Sequence, residues 1–330
     1  MKGISQNDIA NTLGISRVTV TKALQNHPDI AKKTRLLVKE KAAEMGYIPN
    51  HIGRSLSSKR TFAIGVVVPK IAHSFFSSSI EIMYSAAREN GYSIIPMISF
   101  EDRHIEYENI KTLLSMRVDG IILDVAQNTI DNSSYELIKK SDCKVLFFDR
   151  CPADYSFASI VTDDKTASYK LTKLLIENGY KDILFMSGPE YLNISQQRRE
   201  GYEMAMFEAQ LSKKNLSVDM TDESGYEALI KLSNENKLPK AIVAVNDPVA
   251  VGVYKAAKTL GVRIPEDLAV VGFGNIDAAA MLNPPLTTAK PPIDAMAKAA
   301  VNTIIDAIEK GTDIHHQQVF FTELQIRGSA

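Results

Sequence analysis

The chain has 330 residues, 45% hydrophobic and 23% charged, a composition that fits a globular protein of two or three domains. No apolar run reaches the ~20 residues of a membrane helix, and Met1-Lys2-Gly3-Ile4-Ser5-Gln6 lacks a signal-peptide core, so the expected compartment is the cytoplasm. The net charge of −1 hides an asymmetry: residues 1–60 hold eleven Lys and Arg against four Asp and Glu, a net +7, leaving −8 for residues 61–330. A basic module joined to an acidic one points to a nucleic-acid partner for the first.

Residues 1–48 predict three helices. Ser5 caps the first, with Asp8 in capping-box position, and Ile9, Ala10 and Leu13 form its apolar face. Gly14 ends it, because helix termini favour a residue that accepts positive φ. Ser16 caps a second helix carrying Val18, Val20, Ala23 and Leu24. A third runs from about Ala31 to Met45, with Leu36, Leu37, Val38, Ala42 and Met45 as apolar contacts, and Gly46 closes it. Two helices joined by a short glycine turn form a helix-turn-helix, whose second member lies in the major groove of DNA. Its polar face presents Arg17, Thr21 and Lys22, with Thr19 near the DNA backbone. Arg17 can donate two hydrogen bonds to guanine O6 and N7, and Val18 can meet a thymine methyl. Ser5, Ser16, Asn26, Lys33 and Thr34 are placed to contact phosphate. A plain helical bundle with a solvated charged face is the competing reading, and the agreement of caps, turn, spacing and charge opposes it.

Residues 49–60 are too polar for a core strand and too basic for an inert linker. Leu56 stands there between Ser55 and Ser57. Pro49 suits a helix start, and so short a helix is unstable alone. The segment reads as a hinge that touches DNA and transmits a ligand signal.

From residue 61 onward, apolar β-rich runs alternate with helical patterns. Strands are predicted at Phe62–Val68, Ser93–Ile98, Gly120–Asp124, Lys144–Phe148, Asp182–Ser187, Ala241–Val245 and Leu268–Gly272. Helices are predicted at Phe75–Asn90, His104–Met116, Lys165–Asn178, Ser195–Ala209, Asp222–Asn234, Pro248–Leu260 and Ile293–Lys310. Apolar strands separated by helices imply parallel sheets covered on both faces. The alternation runs twice, with a change near Val161–Asp164, so the expected fold is α/β: two doubly wound lobes with a ligand cleft at the carboxyl ends of their strands.

Enzyme signatures fail in turn. There is no phosphate-loop pattern, Gly272-Phe273-Gly274 lacks the third glycine of a dinucleotide fingerprint, and no serine or cysteine occupies a nucleophile elbow. The six histidines include no i, i+4 pair, and Cys143 and Cys151 have no metal-ligand spacing. No metal or cofactor is expected. Binding residues are sought instead at strand ends: Ser74, Phe75 and Phe76 after the first strand, Asp149 with Arg150 after the fourth, Asn246 and Asp247 after the sixth, and Asn275 after the seventh. Arg198 sits early on a helix that opens at the cleft. Asp247 reads as a helix cap; Asp149, Arg198 and Asn246 read as ligand contacts. Hydrogen-bonding groups set in apolar surface suit a polar ring such as a sugar.

Asp8-Ile9-Ala10, Gly14-Ile15-Ser16, Thr19-Val20-Thr21-Lys22-Ala23-Leu24, Lys33-Thr34-Arg35, Gly46-Tyr47-Ile48-Pro49-Asn50 and Arg54-Ser55-Leu56 together resemble the lactose/galactose repressor family, and the likeness runs to the C-terminus. The resemblance implies an all-α helix-turn-helix headpiece over residues 1–48, a hinge helix over 49–60, and a periplasmic-binding-protein-like effector and dimerisation domain over 61–330. It places the first lobe at about 61–161 and 291–320 and the second at about 162–290 and 321–330, with crossings near 161–163, 289–292 and 320–323. It adds Asn50, Arg54 and Leu56 to the DNA contacts, with Leu56 as an apolar wedge in the minor groove. The implied partners are a pseudo-palindromic double-stranded operator, a sugar-like effector and a second copy of the chain, with no membrane. Because the sequence stops just after its last strand-like segment, a dimer rather than a tetramer is expected. Three positions depart from the family. Ala31 replaces the usual Ser or Thr cap of the third helix. Gly274 stands where many relatives have an aspartate that accepts from ligand hydroxyls. Leu192 and Ile194 lack the polar groups of purine-sensing relatives. The effector class is left open. A solute-binding protein of similar lobed fold and a sugar-processing enzyme are the rival readings; the basic headpiece opposes the first and the missing catalytic motifs oppose the second.

Overall fold

The computed structural model describes residues 4–24, 26–48, 60–129, 133–151, 158–314 and 316–330. It divides into two compact units, Met1–Thr61 and Phe62–Ala330.

The small unit holds α1 (Gln6–Leu13), α2 (Arg17–Leu24) and α3 (Lys32–Glu44). Both halves of the expected capping box form: the Asp8 amide donates to the Ser5 hydroxyl and the Asp8 carboxylate accepts from the Ser5 amide. Gly14 takes the left-handed conformation, φ 64°, that turns the chain into α2. Ser16 Oγ accepts from the Thr19 amide at 3.1 Å. The core comprises Ile9, Ala10, Val20, Ala23, Val38 and Ala42. Leu36 and Leu37, expected in that core, are 58% and 49% exposed. Val38, Ala42 and Met45, at i, i+4 and i+7, take the inward face of α3 and leave the two leucines beside it. Ala31 opens α3 without a side-chain cap, and Asp29 does not replace it, being paired with Lys22 at 2.8 Å. The start of α3 therefore lacks the ~1 kcal/mol a cap contributes.

The large unit contains two six-stranded sheets. The first has the order β11-β5-β4-β3-β1-β2, built from β1 (Ala63–Val68), β2 (Ser93–Ile98), β3 (Gly120–Leu123), β4 (Lys144–Phe148), β5 (Ser159–Thr162) and β11 (Gln317–Phe320). The second has the order β12-β10-β9-β8-β6-β7, from β6 (Ile183–Ser187), β7 (Lys214–Ser217), β8 (Ala241–Ala244), β9 (Ala269–Phe273), β10 (Thr287–Lys290) and β12 (Glu323–Gln325). All pairings are parallel except β12 on β10. Central strands such as Gly-Ile-Ile-Leu and Ala-Ile-Val-Ala are buried on both faces, which is why they read as unbroken apolar runs. Strands β5, β7, β10, β11 and β12 were not expected as separate elements. Each has only three or four residues, and β7, β11 and β12 are partly exposed edge strands with polar sequences.

Helices α4 (Ser74–Glu89), α5 (Arg103–Ser115), α6 (Ser133–Lys139) and α12 (Ile293–Lys310) cover the first sheet; α7 (Asp164–Glu177), α8 (Asn193–Glu208), α9 (Asp222–Asn234), α10 (Asp247–Leu260) and α11 (Asp277–Met281) belong with the second. The chain passes between sheets three times: at residue 163, at 291–292 and at 321–322.

In the second lobe, α7 packs on α8 and α9 on α10 backbone to backbone. A β-carbon on Gly201 would strike the Lys165 carbonyl, and one on Gly252 the Asp222 carbonyl. Only a hydrogen side chain allows this approach. Gly252→Ala is expected to lower stability by about 1–3 kcal/mol, the usual cost of overpacking. Urea unfolding of the full chain checks this, and an unchanged midpoint would mean that the α9–α10 pair yields freely.

Candidate functional sites

The DNA-facing candidates lie in the small unit. At the N-terminus of α2, Arg17 is exposed and Val18 is 65% exposed, unusual for a valine in so small a core. Several neighbours already have intramolecular partners. The Ser16 and Thr19 hydroxyls bond each other at 2.9 Å, and the Ser5 hydroxyl belongs to the capping box. Thr21 Oγ1 donates to Gln6 Oε1 at 2.7 Å, tying α2 to α1. Lys22 bridges to Asp29. Asn26 adopts φ 58°, and its carbonyl accepts from Arg35 Nη1 at 3.0 Å. Lys33 is exposed and Thr34 half-buried on the first turn of α3. Asn50, Arg54 and Leu56 lie outside the described residues.

The second site forms where the carboxyl ends of both sheets meet. Asn193 joins the lobes there: its Oδ1 accepts from the Cys151 amide at 3.0 Å and its Nδ2 donates to the Asp149 carbonyl at 3.1 Å. Ser74, half-buried, and Phe75 and Phe76, both buried, form the first turn of α4. Phe75 packs against Phe148 with centroids 6.0 Å apart, and the Arg150 guanidinium stands 5.5 Å from the Phe76 ring. Asp149 follows β4 in the left-handed region, φ 57°, buried within electrostatic reach of Arg198 and Arg150. Burial raises its pKa, and the two guanidiniums oppose that rise.

Arg198 is 5% exposed and fully engaged in the second lobe. Its Nε donates to Asp164 Oδ1 at 2.6 Å, its Nη1 to the Val245 carbonyl at 2.7 Å, and its plane lies 3.5 Å from the Phe273 ring centroid. It is thus a structural pin; removing it would leave the Asp164 carboxylate buried and unpaired. The cap expected at Asp247 is supplied by Asn246 instead. Asn246 caps α10, accepting from the Val249 amide at 3.0 Å and donating to the Met220 carbonyl at 3.1 Å. Asp247 instead accepts from Thr288 Oγ1 at 2.6 Å and the Ile276 amide at 2.9 Å. The helix begins at Asp247, one residue earlier than a cap at Asp247 requires, with Pro248 in its first turn. Asn275 Oδ1 accepts from Arg327 Nη2 at 2.7 Å, so that side chain too is held within the protein. Gly274 has φ 133°, a conformation unfavourable for aspartate, beside the Asp247 carboxylate.

Sequence reasoning named Arg150 but missed three polar residues around it and Arg198: Glu101, Asp124 and Asp164. Arg150 Nη1 donates to both Glu101 oxygens at 3.0 and 3.1 Å. Asp124, at the end of β3, lies 3.7 Å from Arg150 Nε. Asp164 holds Arg198. A buried polar residue one step past an apolar strand was the available signal for Asp124, as it had been for Asp149. Glu101 could not be found that way, because its approach depends on consecutive left-handed residues, Phe100 at φ 53° and Glu101 at φ 60°.

Behind β3, Glu106 is buried and accepts from the Ala126 amide at 2.7 Å. Burial pushes its pKa up from 4.5 to about 7. An acid raised on folding contributes stability below its unfolded value, and that contribution is lost as pH climbs through about 7. Glu106→Gln is therefore expected to flatten the fall in melting temperature as pH rises from 4.5 to about 7. Parallel melting profiles for the variant and the parent would show that Glu106 ionises normally.

Residues 6–50 match the model for bacterial regulatory proteins, lacI family, and residues 172–330 match the periplasmic binding protein-like domain. The chain is 30% identical to the probable HTH-type transcriptional repressor ExuR of Bacillus subtilis, over 99% of this chain and 98% of that one. It is 31% identical to the NTD biosynthesis operon regulator NtdR of the same organism, over 98% of each. Among solved structures, the lac repressor dimer bound to operator and the anti-inducer ONPF superposes with a TM-score of 0.87 over 99% of both chains, at 23% identity, which establishes a shared fold. The transcription regulator CcpA of Lactococcus lactis aligns with a TM-score of 0.76 at 25% identity, covering 81% of this chain and 98% of that one.

Proposed function

The chain belongs to the lacI family of bacterial regulatory proteins, DNA-binding regulators of transcription, and from that premise we propose a repressor whose operator affinity is set by a small molecule held between the two lobes. The observation that carries the reading is the exposed Arg17–Val18 edge at the start of α2, which offers a bidentate donor and an apolar contact where a recognition helix meets base edges. We assign residues 1–48 to DNA binding, 49–60 to a hinge, and the two lobes to effector binding and dimerisation. A two-fold homodimer matches a pseudo-palindromic operator, each headpiece reading one half-site. The solved lac repressor relative is a dimer on operator DNA. The relatives are named as regulators, and in this reading the chain catalyses no reaction. Among the described residues no helix is long and apolar enough to cross a membrane.

Effector control follows from linkage. A molecule that favours one arrangement of the lobes shifts operator affinity by its differential affinity for the two states, and DNA shifts effector affinity equally. Ser74, Phe75, Phe76, Asp149 and Arg198 are proposed as cleft walls, whereas Asn246 and Asn275 support that wall through bonds within the protein.

Gel shifts with genomic fragments test the DNA-binding reading directly; failure to retain any fragment over competitor DNA would sink it. Arg17→Ala is expected to cost about 1–3 kcal/mol and to relax base preference at one position of each half-site. Lys33→Ala should weaken all sequences alike and flatten the salt dependence. Loss of affinity in both variants without a change of preference would mean that α2 lies differently in the groove. Leu56→Ala should reduce operator bending and affinity while leaving effector binding to the free protein intact, since an apolar wedge is what unstacks a base step. Circular-permutation gel shifts report the bend, and an unaltered bend would reduce residues 49–60 to a linker.

A further inference from the structure

We propose that the effector is a polyhydroxylated primary amine, such as an amino sugar, whose ammonium group docks between Asp124 and Asp149. The proposal rests on the reading of the cleft as the effector site.

Charge balance is the first observation. Four buried or nearly buried carboxylates, Glu101, Asp124, Asp149 and Asp164, surround two guanidiniums, Arg150 and Arg198. Each guanidinium is hydrogen-bonded to one carboxylate: Arg150 to Glu101, and Arg198 to Asp164. Among the described residues, Arg150 also donates to the Val125 carbonyl and Arg198 to the Val245 carbonyl. Asp124 and Asp149 are left as the surplus.

Asp124 supplies the second, independent observation. It is 1% exposed, and among the described residues neither of its oxygens has a hydrogen-bond partner. The nearest cation atom, Arg150 Nε, is 3.7 Å away and is itself without a hydrogen bond. A buried carboxylate without donors is costly, and structural ion pairs are arranged to avoid that state. A ligand ammonium supplies three donors and one positive charge, which is what the pair of aspartates lacks.

The surroundings fit the rest of such a molecule. Residues alternate across β3, so Asp124 faces the side of Ile122, which packs in the same apolar cluster as Phe75 and Phe76 on the first turn of α4. Those rings offer an apolar wall for a carbon skeleton. From the second lobe, the first turn of α8, already bound through Asn193 to the Asp149 carbonyl, carries Ser195. The Ser195 and Ser187 hydroxyls are buried and have no partner among the described residues, as expected of groups awaiting ligand hydroxyls.

The test uses the full chain and probes matched at one ring position: amine, hydroxyl and carboxylate members of the gluco, galacto and manno hexose series. Thermal shift and calorimetric titration are run on the parent, Asp124→Asn and Asp149→Asn. An amine member should bind at least about tenfold more tightly than its neutral and anionic counterparts, and each asparagine variant should erase that preference. Asp124→Asn should leave the melting temperature of the ligand-free protein unchanged or higher, because neither Asp124 oxygen accepts a hydrogen bond among the described residues and Arg150 Nε stands no nearer than 3.7 Å; a fall would mark Asp124 as structurally paired and overturn the proposal. A neutral or uronate member binding best, or no amine binding, would overturn it too. A gel shift separates this outcome from the broader reading. Specific DNA binding with no amine bound sinks only the amine. An amine that binds without altering DNA affinity sinks effector control.

Discussion

The second lobe depends on one buried ion pair. Arg198 and Asp164 face each other at 2.6 Å, with side chains 6% and 1% exposed. Placing two charges there costs desolvation that Coulomb attraction alone does not return. The remaining compensation is visible: the Val245 carbonyl takes a second guanidinium proton, Phe273 covers its face, and Thr162 Oγ1 donates to Asp164 at 3.0 Å. Even so, burial holds the Asp164 pKa up at about 6. The pair draws together the first crossing between sheets, the helix after β6 and the ends of β8 and β9. The carboxyl edge of the second sheet is therefore held rigid by bonds within the protein, and in the proposed reading it is a preorganised wall of the cleft.

The opposite wall is built on another principle. In the first lobe Arg150 is shared among Glu101, Asp124 and Asp149, and the sharing is incomplete. One lobe thus has its charges matched and the other carries a deficit of donors. Asn193, bonding across to Cys151 and Asp149, holds the two walls together, so anything that enters must coexist with that bridge or replace it. Such a contact can give a ligand different affinities for two lobe arrangements, which is the requirement for shifting a population between them.

Local signals in the sequence were read well and tertiary ones less well. Ser5, Asp8 and Gly14 act within a few residues of themselves, so the capping box and the turn into α2 were legible. The long apolar strands and amphipathic helices were legible because burial imposes a period on them. Leu36 and Leu37 misled because an apolar residue on a helix does not say which face is inward. The cap was assigned to Asp247 in place of Asn246 because both are competent caps and the sequence does not say on which side of Asp247 the helix starts. The short strands at the sheet edges were invisible because a polar tetrapeptide becomes a strand only through the neighbour it pairs with, as β11 does with β5. The Arg150 cluster brings together residues 101, 124, 149 and 150, and no spacing rule joins positions so far apart.

The threefold passage of the chain between sheets has a consequence for how the protein is made. Helix α12 and strand β11, from residues 293–320, complete the first lobe, and the second closes only when β12 pairs with β10 and Ser329 bonds to Thr287 and Val270. Neither lobe can finish folding until nearly the whole chain has left the ribosome. The headpiece has its own apolar core within its first 45 residues and emerges first. Translation that stops early therefore releases a DNA-reading module with no sensor attached, and the order of synthesis itself makes prompt removal of incomplete chains a condition of faithful regulation.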